Sequence, residues 1–164
     1  VWLILSLPVL LVALCLTVDL GKIWVERAAL VSAVDAAALA AVRQWVKDLA
    51  KLESEADIVN AIQEGIAYGL ANQVDGKPLD LTDSSAQNTH FEFGCIIDGQ
   101  FYPQVAPNCG QGYDPAVRVT VTNYMITSAC GMSIPYKVSA QAIAYAPCGG
   151  GAIQTKLYTP KATP

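Results

Sequence analysis

Five cysteines, Cys15, Cys95, Cys109, Cys130 and Cys148, are the residues of this chain with the most chemistry open to them. The last four fall in the C-terminal half among Gly, Pro and turn residues. An even number in such surroundings predicts two disulfides and an oxidising compartment. Four cysteines allow three connectivities. The expected one is Cys95–Cys109 with Cys130–Cys148, and the other reading is four reduced core thiols. Cys15 lies in an uncharged apolar run and reads as a small buried hydrophobe.

The second group is charged. Asp19 closes the apolar run and stands one turn before Lys22. A carboxylate near lipid is costly unless paired, so Asp19 is expected to meet either Lys22 of its own helix or a cation of another copy. Trp24, between Lys22 and Arg27, suits a membrane–water boundary, where indoles and long cationic side chains settle. Packing against a neighbouring helix is the other reading. Asp35 is the one charge in a field of alanine, and faces either a polar groove of its own molecule or a basic residue of a neighbouring copy. Asp19, Lys22, Trp24, Arg27 and Asp35 are therefore the candidate helix-packing residues.

Little else suggests chemistry. His90 is the only histidine, and no motif supplies it with a nucleophile. Asp75, Asp80 and Asp83 share a stretch, but their spacing matches no standard calcium loop. Closely spaced Cys or His pairs for zinc are missing, as is Cys-x-x-Cys-His for haem. No glycine-rich loop follows a strand into a helix, which leaves nucleotide binding unsupported. The formal charge of −4 has no basic cluster behind it and argues against a nucleic-acid partner. No enzyme activity, cofactor or metal is expected.

These groups must be positioned by a long N-terminal helix. Val1 to Val18 carry no charge, and about 20 apolar residues cross the hydrocarbon core of a bilayer as a helix. After Lys22, Glu26 and Arg27 the chain is again apolar on nearly every side from Ala28 to Val42. A helix apolar all round is buried in something. This second segment extends ~20 Å beyond the first at 1.5 Å per residue, so it is expected to bundle with copies of itself. Pro8 removes a backbone donor and is expected to bend the first helix; Gly21 is a second soft point. The basic start of a secretory signal is absent, so either the first residues are missing or a leader is removed on the cytoplasmic side.

The rest reads as a small α+β head. Ser54 and Asp57 open a second helix, with an apolar stripe at Ile58, Ile62, Ile66 and Leu70. Residues 75 to 89 read as a polar loop. Asp98-Gly99 joins strands His90–Ile97 and Gln100–Val105 as a hairpin, and Pro103 sets the second at an edge. Alternation predicts strands around Val117, Val119 and Val121, and from Tyr136 to Ala146. Gly149-Gly150-Gly151 uncouples a tail. Three parts follow: residues 1–53 as the long helix, 54–148 as the head, 149–164 as the tail. Residues 152–159 are expected either to add as a strand to a neighbouring subunit's sheet or to remain with their own chain.

Residues 7–44, with Val18-Asp19-Leu20-Gly21 and the alanines from Ala33 to Ala41, resemble the start of TadG-like and TadE-like proteins of tight-adherence (Flp-type) pilus systems. Phe91-Glu92-Phe93-Gly94 leading to Phe101 and Pro103, then Ala116 to Val121, then Val138 to Ala142, are similar to the sheet of the same family. The resemblance implies an exported, membrane-inserted protein tied to a pilus or surface filament. The four cysteines of the C-terminal half depart from that pattern. So does the first acidic residue, Asp19, which lies far later than the acid of ordinary type IV pilins. The expected function is a pilin-like subunit, inserted in the inner membrane and then polymerised through its helix into an extracellular adhesive filament of identical subunits. A membrane-anchored accessory protein of pilus assembly is the alternative.

Overall fold

Alanine has the highest helix propensity of any residue, and the alanine-rich first third of the chain forms one unbroken helix, α1, Trp2–Leu49. The helix continues through both Pro8 and Gly21. The computed structural model describes residues 2–49, 56–82, 88–108, 111–130 and 136–156. Helix α2 spans Ala56–Leu70, and the strands are β1 Gln73–Val74, β2 Lys77–Pro78, β3 Asn88–Ile97, β4 Gln100–Pro103, β5 Asp114–Ile126, β6 Tyr136–Tyr145 and β7 Gln154–Lys156. β1 and β2 form a small hairpin, and the other five make one sheet in the order β4-β3-β5-β6-β7. Every pairing is antiparallel. The architecture is the expected α+β arrangement of long helix, short helix and sheet.

The two halves of α1 have opposite surroundings. Leu30, Ala33, Val34, Ala37, Ala38, Ala41, Val42 and Trp45 are buried in one core with Val117, Val119 and Val121 of β5 and Ala140, Ala142 and Ala144 of β6. Trp45 meets Phe93 edge to face, with ring centroids 5.1 Å apart. Each large side chain fully buried there, such as Leu30 or Val42, contributes about 1.5–3 kcal/mol. Most of Ala28–Val42 is thus covered inside this molecule, while Ala28 and Ser32 stay exposed. The molecule's own core therefore takes up much of the apolar surface that was expected to bundle with identical rods.

Helix α2 packs against both α1 and Phe91 of β3, and its inward face matches the expected stripe only in part: Ile66 packs on the core. Its buried positions are Ala61, Gly65 and Gly69, while Ile58 and Leu70 are exposed. Small residues every four positions bring two helix backbones close together. A Cβ on Gly65 would stand 2.8 Å from the Phe91 ring and 3.2 Å from the Ala37 carbonyl oxygen. Ser54 lies outside the described residues.

Asp98 and Gly99 both have positive φ, 48° and 76°, as a tight hairpin turn between twisted strands requires. Asp75 and Gly76 repeat the device at 53° and 70°, so a hairpin replaces the start of the expected polar loop. β5 carries a bulge: its register with β6 shifts between Val121 and Tyr124, and Asn123 takes φ 60°. The extra residue returns Tyr124 and Ile126 to the core face and delivers the chain after Ile126 to the side of α1.

β7 pairs with β6 of its own chain, Gln154 opposite Tyr145 and Lys156 opposite Ile143. Those residues of the tail are therefore already engaged, and 157–159 lie outside the described residues.

Candidate functional site

The first half of α1 is apolar on its surface and nearly bare. Leu7, Val9, Leu10, Leu11, Val12 and Leu14 are each more than half exposed. The helix is long and apolar enough to cross a membrane, and only 6% of its most apolar window is buried. A core helix of a soluble domain shows the reverse, so this surface awaits lipid or protein.

Against that bare surface one line of residues is different. Cys15, Asp19, Lys22 and Glu26 follow one another at intervals of four, three and four, which places them on one face of the helix. All four grip the end of the head domain. Cys15 is bonded to Cys130, with Cα atoms 5.8 Å apart across 115 residues of sequence. Asp19 is 2% exposed and its carboxylate accepts three hydrogen bonds from the same loop. Ser128 Oγ donates to Oδ2 at 2.7 Å; the Ala129 and Cys130 amides donate to Oδ1 at 2.7 and 3.3 Å. Such a carboxylate is satisfied without a cation.

One turn further on, Lys22 Nζ lies 2.7 Å from Asp75 Oδ1 and donates to Thr127 Oγ1 at 3.3 Å. The other oxygen of Asp75 accepts from the Thr127 amide at 2.9 Å and from its hydroxyl at 2.7 Å. Glu26 accepts from the backbone N–H of Asp75, the residue of positive φ at the head of its turn. Tyr124 completes the set, its hydroxyl donating to the Val74 carbonyl at 3.0 Å. Two separate pieces of the head, the β1–β2 turn and the 127–130 loop, are thereby latched to one helical stripe.

Burial alone would push the Asp75 carboxyl up, but the Lys22 ammonium and the two Thr127 donors outweigh it and hold the group below its ordinary range. A depressed carboxylate stabilises the fold fully above its unfolded value of about 3.9, and the contribution is lost as pH falls through the lower folded value. Expected result: the Thr127 amide resonance in detergent micelles titrates with an inflection below that of a free aspartate. The same resonance should stay flat in Asp75→Asn.

The sequence-level pairings are corrected by this geometry. Cys15 is not an isolated hydrophobe but half of a disulfide, and Cys130 is joined to it rather than to Cys148. Cys95 is a free, fully buried thiol, so the Cys95–Cys109 bond is also overturned; burial raises its pKa and leaves it inert. Cys148 is disulfide-bonded, and Cys109 lies outside the described residues. Asp19 does not take Lys22 as its partner: the two side chains serve neighbouring parts of the head. Trp24 and Arg27 are exposed on other sides of the helix, Trp24 at 72%. Asp35 is half-buried higher up the helix and takes no part in the latch.

What the sequence reading missed is the stripe itself. Its signal was present, since the polar positions of an apolar helix recur at a helical interval. Taking Asp19 and Lys22 as a local pair hid their common face.

A second polar arrangement lies on the outer sheet face. Glu92 and Arg118 stand opposite one another in the β3–β5 register and form an ion pair. The Arg118 guanidinium lies 4.7 Å from the centre of the Phe101 ring, and its bond holds the Glu92 carboxyl below the usual range. His90 is exposed and 4.0 Å from Glu92. Among the described residues no group of three His, Cys, Asp or Glu is placed to hold a metal ion. The arrangement braces the sheet, with Phe101 stacked on it.

Residues 1–44 match the family described as Flp pilus-assembly TadE/G-like. The match covers the apolar half of α1, the latch stripe and the alanine segment, and agrees with the resemblance seen in residues 7–44. Neither a curated protein nor a solved structure matches the chain. That likeness and the bare apolar helix together fit association with a membrane or cell surface.

Proposed function

We propose that this chain is a membrane-anchored accessory component of a Flp-type pilus-assembly system, with its head on the outer, oxidising side. The observation that carries the proposal is where the latch falls. The head is fastened to α1 from Cys15 to Glu26, at one end of the uncharged Val1–Val18 segment of near bilayer-spanning length. The alanine segment beyond it is consumed by the molecule's own core, which leaves the helix in the proportions of an anchor. The disulfide suits an oxidising compartment, which supports a head on the side away from the cytoplasm. The role is structural or accessory.

A filament subunit is the second reading, favoured by one observation. Leu16, Val18, Leu20, Trp24 and Val25 remain about half or more exposed beside the latched face, and identical helices could cover them. Cell fractionation separates the two. An anchored component stays with membranes after shearing and dissolves in detergent as small oligomers. Recovery chiefly in sheared extracellular filaments would overturn the anchor reading.

A further inference from the structure

We propose that the latched end of the head rests on the headgroup layer of the bilayer, and that exposed Arg27, Lys77 and Lys137 give it a preference for anionic lipid. The proposal rests on the membrane-anchor reading and deepens it by naming the surface and its partner.

The level of the membrane follows from the latch. Asp19, with the amides and hydroxyl that it binds, cannot lie in hydrocarbon without loss of solvation. Leu16, Val18 and Leu20 are exposed apolar side chains around the same turn. The hydrocarbon edge therefore falls close to Asp19. Lys22 stands ~5 Å above it and Trp24 ~8 Å, at 1.5 Å per residue, within or just above the ~5–8 Å headgroup layer.

Everything fastened to those residues is brought to the same level. Asp75 is held by Lys22 and Glu26, and Lys77 follows it by two residues across the turn, opposite Val74. Thr127 is held by Asp75, and Lys137 stands opposite Met125, two residues before Thr127. Arg27 lies five residues beyond Lys22, ~7.5 Å further along α1, just above that layer. Arg27, Lys77 and Lys137 are exposed. The acids of the same end, Asp19, Glu26 and Asp75, are turned inward and bound. A chain with a formal charge of −4 thus presents cations outward at its membrane end, where anionic headgroups attract them. Exposed Met125, 47% accessible, and Trp24 add apolar contact at the interface.

The test uses the full chain reconstituted into vesicles that contain a nickel-chelating lipid. A nitroxide is placed through Lys77→Cys, or through Asp98→Cys at the β3–β4 turn on the opposite end of the sheet. Buried Cys95 remains unlabelled. The label at 77 is expected to relax several-fold faster than the label at 98. Replacing part of the phosphatidylcholine by phosphatidylglycerol should widen the contrast, and Arg27→Glu with Lys137→Glu should narrow it. Equal relaxation at both positions would overturn the orientation. A contrast indifferent to phosphatidylglycerol and to the charge reversals would overturn the lipid preference. Failure of the unlabelled chain to float with vesicles would instead overturn the anchor reading beneath both.

Discussion

Replacing Cys15 and Cys130 together by alanine is expected to lower the unfolding free energy of the detergent-solubilised chain by about 3–4 kcal/mol. The bond closes 115 residues of sequence, and a cross-link over so long a loop removes a large share of the unfolded chain's freedom. The loop-entropy estimate is nearer 5 kcal/mol for a loop of about 100 residues, and measured links deliver less. The Asp19 contacts to Ser128, Ala129 and Cys130 use hydroxyl and backbone donors, so they survive the substitution and keep the loop in place. Urea unfolding of the double variant and of each single variant gives the check. The three losses should be nearly equal, because each removes the same bond. A double variant as stable as the parent would show that the bond does not hold the fold.

The second large effect belongs to Gly94→Ala. Gly94 stands opposite Pro103 in the β3–β4 pairing. A Cβ at that position would lie 2.0 Å from the Tyr102 carbonyl oxygen and 2.9 Å from the Pro103 Cα. Both are backbone atoms, so no side chain can rotate away. β4 must move, and the bond from the Gln104 amide to the Phe93 carbonyl, 2.8 Å long, moves with it. Overpacking of this kind usually costs 1–3 kcal/mol, and a rigid obstacle puts the expected loss at about 3 kcal/mol. Thermal unfolding measures it. Gly21→Ala is the contrasting control: a Cβ there meets nothing within 4 Å, and alanine in a helix interior gains about 1 kcal/mol over glycine. A Gly94→Ala variant as stable as the parent would rule out the close approach of the two strands.

Local patterns carried much of the fold into view. Helix α1 was legible from its alanines, and the β3–β4 hairpin from Asp98-Gly99, because propensity and turn chemistry act over a few residues. Alternation revealed β5 and β6 for the same reason. The β5 bulge was not legible, since Asn123 becomes an extra residue only when β6 fixes the register. Nor was the inward face of α2. Ile58 and Leu70 promised a larger apolar stripe than Gly65 and Gly69. Close approach to Phe91 and Leu81 selected the side without side chains.

By itself, the sequence determined that a charge-free helical segment must seek an apolar environment and that an α+β head follows it. Its first 44 residues also resemble a pilus-assembly family. Those conclusions depend on hydrophobicity and local conformation, which each segment carries wherever it is placed. Only the tertiary structure decided which cysteine meets which, that Asp19 is satisfied by a loop 109 residues away, and that the alanine half of α1 is covered by its own sheet. Such choices are set by which surfaces the folded chain brings together, and no residue's type or spacing contains that information.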